Sequence, residues 1–150
     1  MKIGVITDGI SRDFEHALKV MDEFGLEYAE LQFVWDKEIG FLETAEVSRA
    51  KKLLKQYGKQ VSNICHHIFA GMRMTSKPGD ELHTQHMDRL KRCMEIAHEL
   101  GSPRVRILSP KKEQVLFGAN GAEKWNVAKG AWDALPPLIS PAVELAKKEK

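Results

Sequence analysis

Cysteine is nearly missing from this sequence: Cys65 and Cys93 are the only two in 150 residues. Two cysteines build neither a disulfide framework nor a zinc-ribbon spacing, so reduced thiols are expected. Long apolar runs are missing too. No stretch approaches the length of a membrane span, and the apolar run after Met1 is too short for a signal-peptide core plus cleavage site. The expectation is a soluble, cytoplasmic protein with no membrane association. Nor does either sign of charge dominate, since 23 basic and 21 acidic residues leave a formal +2 spread along the chain. That balance argues against a dedicated nucleic-acid surface. The one basic run, Lys147, Lys148 and Lys150, suits an exposed helix end. The glycine signatures that cradle phosphates are also absent: no G-x-G-x-x-G follows the first strand, and no G-x-x-x-x-G-K occurs. Their absence weakens the case for a doubly wound nucleotide-binding sheet.

What is present is ordinary for a globular domain, 43% hydrophobic and 29% charged, and the length suits one domain, residues 1–150, with a real core. One pattern is written four times along the chain. A first strand over Ile3 to Thr7 precedes a helix whose stripe is Phe14, Ala17, Leu18 and Met21, closed by Gly25. A second strand from Tyr28 to Val34 is followed by a loop to about Thr44, then a stripe of Val47, Ala50, Leu54 and Tyr57, closed by Gly58. A third strand, Val61 to Ile68, leads through a loop to Asp80, a plausible N-cap. The helix after it carries Leu90, Cys93, Met94, Ala97 and Leu100 and ends at Gly101. The fourth strand, Arg104 to Ser109, precedes a long loop and a helical pattern from about Trp125 or Ala131 onward. Pro136, Pro137 and Pro141 predict two segments or a kink there. Strands alternating with amphipathic helices imply parallel strands with right-handed crossovers. The fold expected is α/β: a (β/α)4 half of a barrel, with four parallel strands in order 1-2-3-4 and helices outside.

Met1-Lys-Ile-Gly-Val, Tyr28-Ala-Glu-Leu-Gln, Cys65-His-His67 and Leu100-Gly-Ser-Pro-Arg-Val-Arg-Ile-Leu-Ser109 together resemble the xylose-isomerase-like TIM-barrel superfamily, which holds sugar isomerases and epimerases as well as apurinic-site endonucleases. The resemblance implies a (β/α)8 barrel with a divalent metal (Mn, Mg, Co or Zn) held by carboxylates and a histidine from strands five to eight. It further implies paired carboxylates that move a proton through an enediolate. The chain stops where the fifth strand should begin, so it corresponds to the N-terminal half. The metal ligands and acid/base carboxylates then have no counterparts, and little activity or metal binding is expected from this half alone. Unpaired edge strands predict self-association, most simply as a homodimer.

Candidate site residues follow from the strand ends. Glu30 and Gln32 share one face of the second strand, and Arg104 and Arg106 share one face of the fourth. Alternate strands feed the same interior layer, so Glu30 and Arg106 are expected to meet, as a structural ion pair or as substrate contacts. His66 and His67 stand at the third strand's end, where only one can face the barrel mouth; that one could hold a metal or a substrate hydroxyl. Asp8 and Ser109 end the first and fourth strands and are candidate hydrogen-bond partners for substrate. Trp35 and Trp125 lie in loops after strands, where they could stack on a sugar or act as packing anchors. His83 and His86 tempt a metal reading, but no third ligand stands near them, and a solvated helix start is preferred. Cys65 has no evident base partner. The leading reading is the substrate-binding half of a metal-dependent sugar isomerase or epimerase acting on a sugar or polyol. The alternatives are an apurinic-site endonuclease relative and a non-catalytic, self-associating half-barrel module.

Overall fold

The computed structural model describes residues 2–73, 75–110 and 131–149. They fall into two units, Met1–His66 with Leu90–Ile107, and His67–Arg89 with the described part of Leu108–Lys150.

The first unit is built on a parallel sheet. Strand β1 (Gly4–Ile6) pairs with β2 (Tyr28–Leu31), β2 with β5 (Gln60–Cys65), and β5 with β6 (Val105–Arg106). All four are parallel, with the sheet order β1-β2-β5-β6. This departs from the uninterrupted 1-2-3-4 read from sequence, because an antiparallel hairpin of β3 (Phe33–Val34) and β4 (Lys37–Glu38) is inserted after β2. Its two-residue turn holds Trp35 at φ 50° and Asp36 at φ 63°, the doubly left-handed path that matches strand twist in short hairpins. The expected loop to Thr44 is thus partly ordered as a hairpin, without the Asn-Gly signal that such turns usually carry.

Helices α1 (Phe14–Glu23), α2 (Thr44–Gln56) and α3 (Glu81–Leu100) follow the strands. The amphipathic stripe of α1 is buried in full, from Phe14 to Met21. It packs with Val47, Ala50 and Leu54 of α2 and Cys93, Ile96 and Ala97 of α3 over one sheet face, presented by Ala29, Leu31, Val61 and Ile64. The helices end alike. Leu26, Lys59 and Ser102 each donate a backbone N–H to the carbonyl five residues back, and Gly25, Gly58 and Gly101 each donate to the carbonyl three back. This paired pattern recaptures the last carbonyls of a helix and needs a left-handed residue at its pivot; Gly25 (φ 64°) and Gly101 (φ 72°) supply it. At the other end, Glu43 and Glu46 form a reciprocal capping box on α2, and Asp80 accepts the His83 N–H at 2.8 Å to begin α3, as expected. Two backbone amides, His83 and Lys77, hold the Asp80 carboxyl below its ordinary range.

The opposite sheet face is open. Ile6 is exposed there, and Tyr28, Glu30 and Ser62 are half-buried. On this face β1 runs so close to β2 that a Cβ on Gly4 would lie 2.7 Å from the Tyr28 carbonyl oxygen.

In the second unit, α4 (Ala131–Lys148) is one helical span containing Pro136, Pro137 and Pro141; of the two segments or kink that the prolines predicted, the two separate segments do not form. Leu138 and Ala142 of α4 are buried, as are Ile68, Phe69, Met72 and His83. His83 accepts the Gly79 N–H at Nδ1 (3.2 Å), so its proton sits on Nε2, which donates to the Leu138 carbonyl at 3.0 Å. His86 Nδ1 accepts the N–H of Phe69 (3.2 Å), a residue held at φ 66°. Both histidines are therefore used in packing, and the buried His83 overturns the solvated helix start read from the sequence, because its ring bridges Gly79 and the Leu138 carbonyl.

Two predictions follow from this packing. Gly4→Ala must push β1 from β2 and is expected to cost about 1–3 kcal/mol, read as a lower urea midpoint at unchanged slope. Burial, with His83 nearby, holds His86 below its ordinary value. The unfolded chain therefore takes up this proton first, so the stability contributed is full above about pH 6.5 and falls as pH drops toward the folded value. Acidification from pH 7.5 to 5 should lower the protection factor of the Phe69 amide, its exchange measured against the intrinsic rate at each pH, and His86→Asn, which keeps an acceptor but cannot charge, should remove that loss of protection.

Candidate functional site

The site grows from an irregularity in the register between β2 and β5. Ala29 pairs with Val61, but Glu30 pairs with Asn63, so Ser62 is the extra residue. Ser62 Oγ donates to the Ala29 carbonyl at 3.1 Å. A bulge of this kind breaks the two-residue alternation of a strand. Val61 and Ile64, three apart, can both join the helix-side core, and Cys65 is released to the open face. There it pairs in register with Arg106, the last residue of β6.

Arg106 binds the cluster together. Its Nη2 and Nε lie 2.8 and 3.1 Å from Cys65 Sγ, and Nη2 is 3.0 Å from Glu30 Oε1. The predicted meeting of Glu30 and Arg106 therefore occurs. The contact has ion-pair distance without hydrogen-bond alignment: among the described residues, Oε1 is buried with no hydrogen-bond partner. Burial pushes the Cys65 thiol up, partly offset by the guanidinium beside it, and the Cys65 contact in turn raises Arg106. Such a thiol is predominantly protonated near neutrality and is not an activated nucleophile.

Next to this cluster His66 is buried, with Nε2 3.4 Å from Glu38 Oε2 and the Phe41 ring edge-on at 5.2 Å. Glu38 is delivered by the hairpin, which is pinned on several sides. Asp8 Oδ1 accepts the Phe33 N–H at 3.1 Å, Lys37 Nζ donates to Glu46 Oε1 at 2.7 Å, and Arg92 Nη2 donates to the Leu42 carbonyl at 3.0 Å. Lys37 and the Glu43 amide together hold the Glu46 carboxyl below its ordinary value.

The sequence-derived candidates thus separate. Glu30, Arg106 and His66 sit in the cluster, and Asp8 positions the hairpin that completes it. Trp35 lies half-buried, edge-on to Phe14 at 5.8 Å and under the Arg49 guanidinium at 4.3 Å, the packing role. His67 and Ser109 are exposed and belong to the second unit. Trp125 lies outside the described residues. Sequence reasoning missed Cys65, Glu38 and Phe41 as members of the site. Cys65 is hidden by the bulge and Glu38 by a turn lacking its usual residues; the only available signal was the short reach of a two-residue connection.

Chemically, the cluster offers a buried carboxylate oxygen, a planar cation and an imidazole–carboxylate pair. Among the described residues, no three His, Cys, Asp or Glu side chains group as metal ligands would. This donor set does not fit the divalent metal that the resemblance implies. Also among the described residues, no helix is long and apolar enough to cross a membrane.

A search of curated proteins finds no match to the chain. A family model described as xylose isomerase-like TIM barrel matches residues 18–150. The matched span takes in β2 to β6, the larger part of α1, and α2, α3 and α4, and the parallel sheet with helices packed on one face agrees with it. The chain belongs to the xylose isomerase-like TIM-barrel family.

Proposed function

We propose that this chain binds a sugar or related polyol at the C-terminal edge of its sheet, as the substrate-holding side of a metal-dependent isomerase or epimerase. The observation that carries this reading is the Glu30–Cys65–Arg106 cluster beside the Glu38–His66 pair, both in the first unit. In barrels of this family type, binding and catalytic groups collect at the C-terminal ends of strands. A polyol hydroxyl is both donor and acceptor. It can donate to Glu30 Oε1, which has acceptor capacity to spare, while accepting from the Arg106 fork.

The Glu38–His66 pair suits proton transfer, since an imidazole ring can both accept and donate a proton and the carboxylate 3.4 Å away orients it. Isomerases and epimerases need such a base next to a carbon bearing a hydroxyl. The metal dependence in this reading rests on ligands outside the described residues. The chain alone is accordingly proposed to bind without turnover. The open sheet face is read as the seat of a second copy. Ile6 is exposed on it, and among the described residues no strand pairs with the outer edges of β1 or β6. A two-fold arrangement covers both edges at once.

Calorimetric titration with aldoses, ketoses and polyols is expected to find a ligand whose affinity drops about tenfold or more in Glu30→Gln and in Arg106→Gln, the loss of one charge-assisted hydrogen bond. Binding equal to the parent in both variants would sink the reading, and binding of abasic-site DNA alone would point to the endonuclease branch instead. Light scattering on the eluting peak is expected to give a dimer, and Ile6→Lys a monomer. A monomeric parent chain would remove the second-copy reading while leaving the ligand reading standing.

A further inference from the structure

We propose a second ligand site, for an oxyanion such as a phosphate or carboxylate group, in a cleft bounded by the start of α1, the hairpin turn and α2. The cleft encloses about 320 Å³ and is lined by Arg12, Asp13, Glu15, Trp35, Asp36 and Arg49. It shares no residue with the Glu30–Arg106 cluster, so it does not depend on the reading given for that cluster.

Two guanidinium groups make the case. Arg12 lies over the Phe33 ring at 4.2 Å and Arg49 over the Trp35 ring at 4.3 Å. Both side chains are exposed, and among the described residues neither has an ion pair or a hydrogen bond. Stacking engages the flat face of a guanidinium and leaves its N–H edge available, as a fork that fits two oxygens of one anion. The stacked groups are already ordered, so binding costs them little further rotamer freedom. Lysine could not substitute, because it carries neither the fork nor the stacking plane.

The platform is held against its own backbone preference. Trp35 and Asp36 are consecutive left-handed residues, at φ 50° and 63°, which is unfavourable for a bulky side chain. Phe14, edge-on to the indole at 5.8 Å, helps to keep Trp35 there as the seat of Arg49.

Two carboxylates of the cleft keep their charge but already have partners of their own, and neither pairs with Arg12 or Arg49. Asp13 Oδ1 accepts the His16 N–H at 3.2 Å as the cap of α1. Glu15 accepts the Tyr57 hydroxyl at 3.0 Å and faces Lys19 at 3.7 Å. Asp36 alone is exposed and uncommitted among the described residues, and its charge opposes an incoming anion. Removing that charge should strengthen the site.

The test is a nitrogen–proton correlation titration of the full chain with inorganic phosphate, with acetate and, at matched ionic strength, with chloride. Saturable shifts are expected at the Trp35 indole and at the Arg12 and Arg49 Nε–H groups with phosphate or acetate, and not with chloride. The tighter of the two anions identifies the source of the oxyanion. Arg12→Gln and Arg49→Gln should each weaken binding about tenfold or more, Arg49→Lys should weaken it as well, and Asp36→Asn should tighten it. Equal, non-saturating shifts with all three salts would overturn the proposal. So would saturable binding that is unchanged in the two glutamine variants while their spectra remain those of a folded protein.

Discussion

Everything at the candidate site depends on one extra residue in a strand. Were β2 and β5 paired without the Ser62 bulge, Val61 and Ile64 would fall on opposite faces. Either the core would lose an isoleucine or the open face would gain one. The bulge lets both enter the core and turns Cys65 toward Arg106. Ser62 repairs the cost by donating its hydroxyl to the Ala29 carbonyl, so the irregularity leaves that polar group satisfied. Strand irregularities of this sort recur where a side chain must be re-aimed near a functional surface.

That constraint also explains what could be read from the sequence and what could not. The repeated strand and helix units were legible because three glycines close three helices by the same backbone hydrogen-bond pattern, and because apolar spacing survives in α1, α2 and α3. The meeting of Glu30 with Arg106 was legible from strand parity alone, since neither lies beyond an irregularity in its own strand. Cys65 was not, because a bulge inverts parity without altering composition. Glu38 was hidden for a different reason. A tryptophan and an aspartate occupy the turn where asparagine and glycine would announce a hairpin, so the segment reads as loop. The choice between His66 and His67 waits on that same hairpin, which brings Glu38 to His66. Pro136, Pro137 and Pro141 left two segments or a kink open, and the span stays helical through all three. A proline forfeits one backbone donor, and tertiary packing around Leu138 and Ala142 can outweigh that loss.

The electrostatics divide into two kinds. Exposed pairs such as Lys147 with Glu144, or Arg92 with Glu95, are screened and add little to stability. The buried Cys65 and His66 and the half-buried Glu30 and Glu38, gathered beside the exposed Arg106, are different, because desolvation there makes each missing partner costly. A carboxylate oxygen buried beside a cation yet misaligned for a hydrogen bond is a poor arrangement for stability alone. It is a reasonable one for a group waiting to accept a ligand's hydroxyl, since binding then supplies the bond that the fold withholds.

The decisive measurement is a double-mutant cycle on Glu30 and Arg106, using Glu30→Gln, Arg106→Gln and the pair together, read on both urea stability and ligand affinity. If the cluster is a binding site, the coupling between the two residues should be small in stability, about 0.5 kcal/mol or less for a contact that lacks hydrogen-bond alignment, and large in affinity. Coupling found wholly in stability, with affinity indifferent to either change, would mean that the pair only holds the sheet together, and the account of the site would fail.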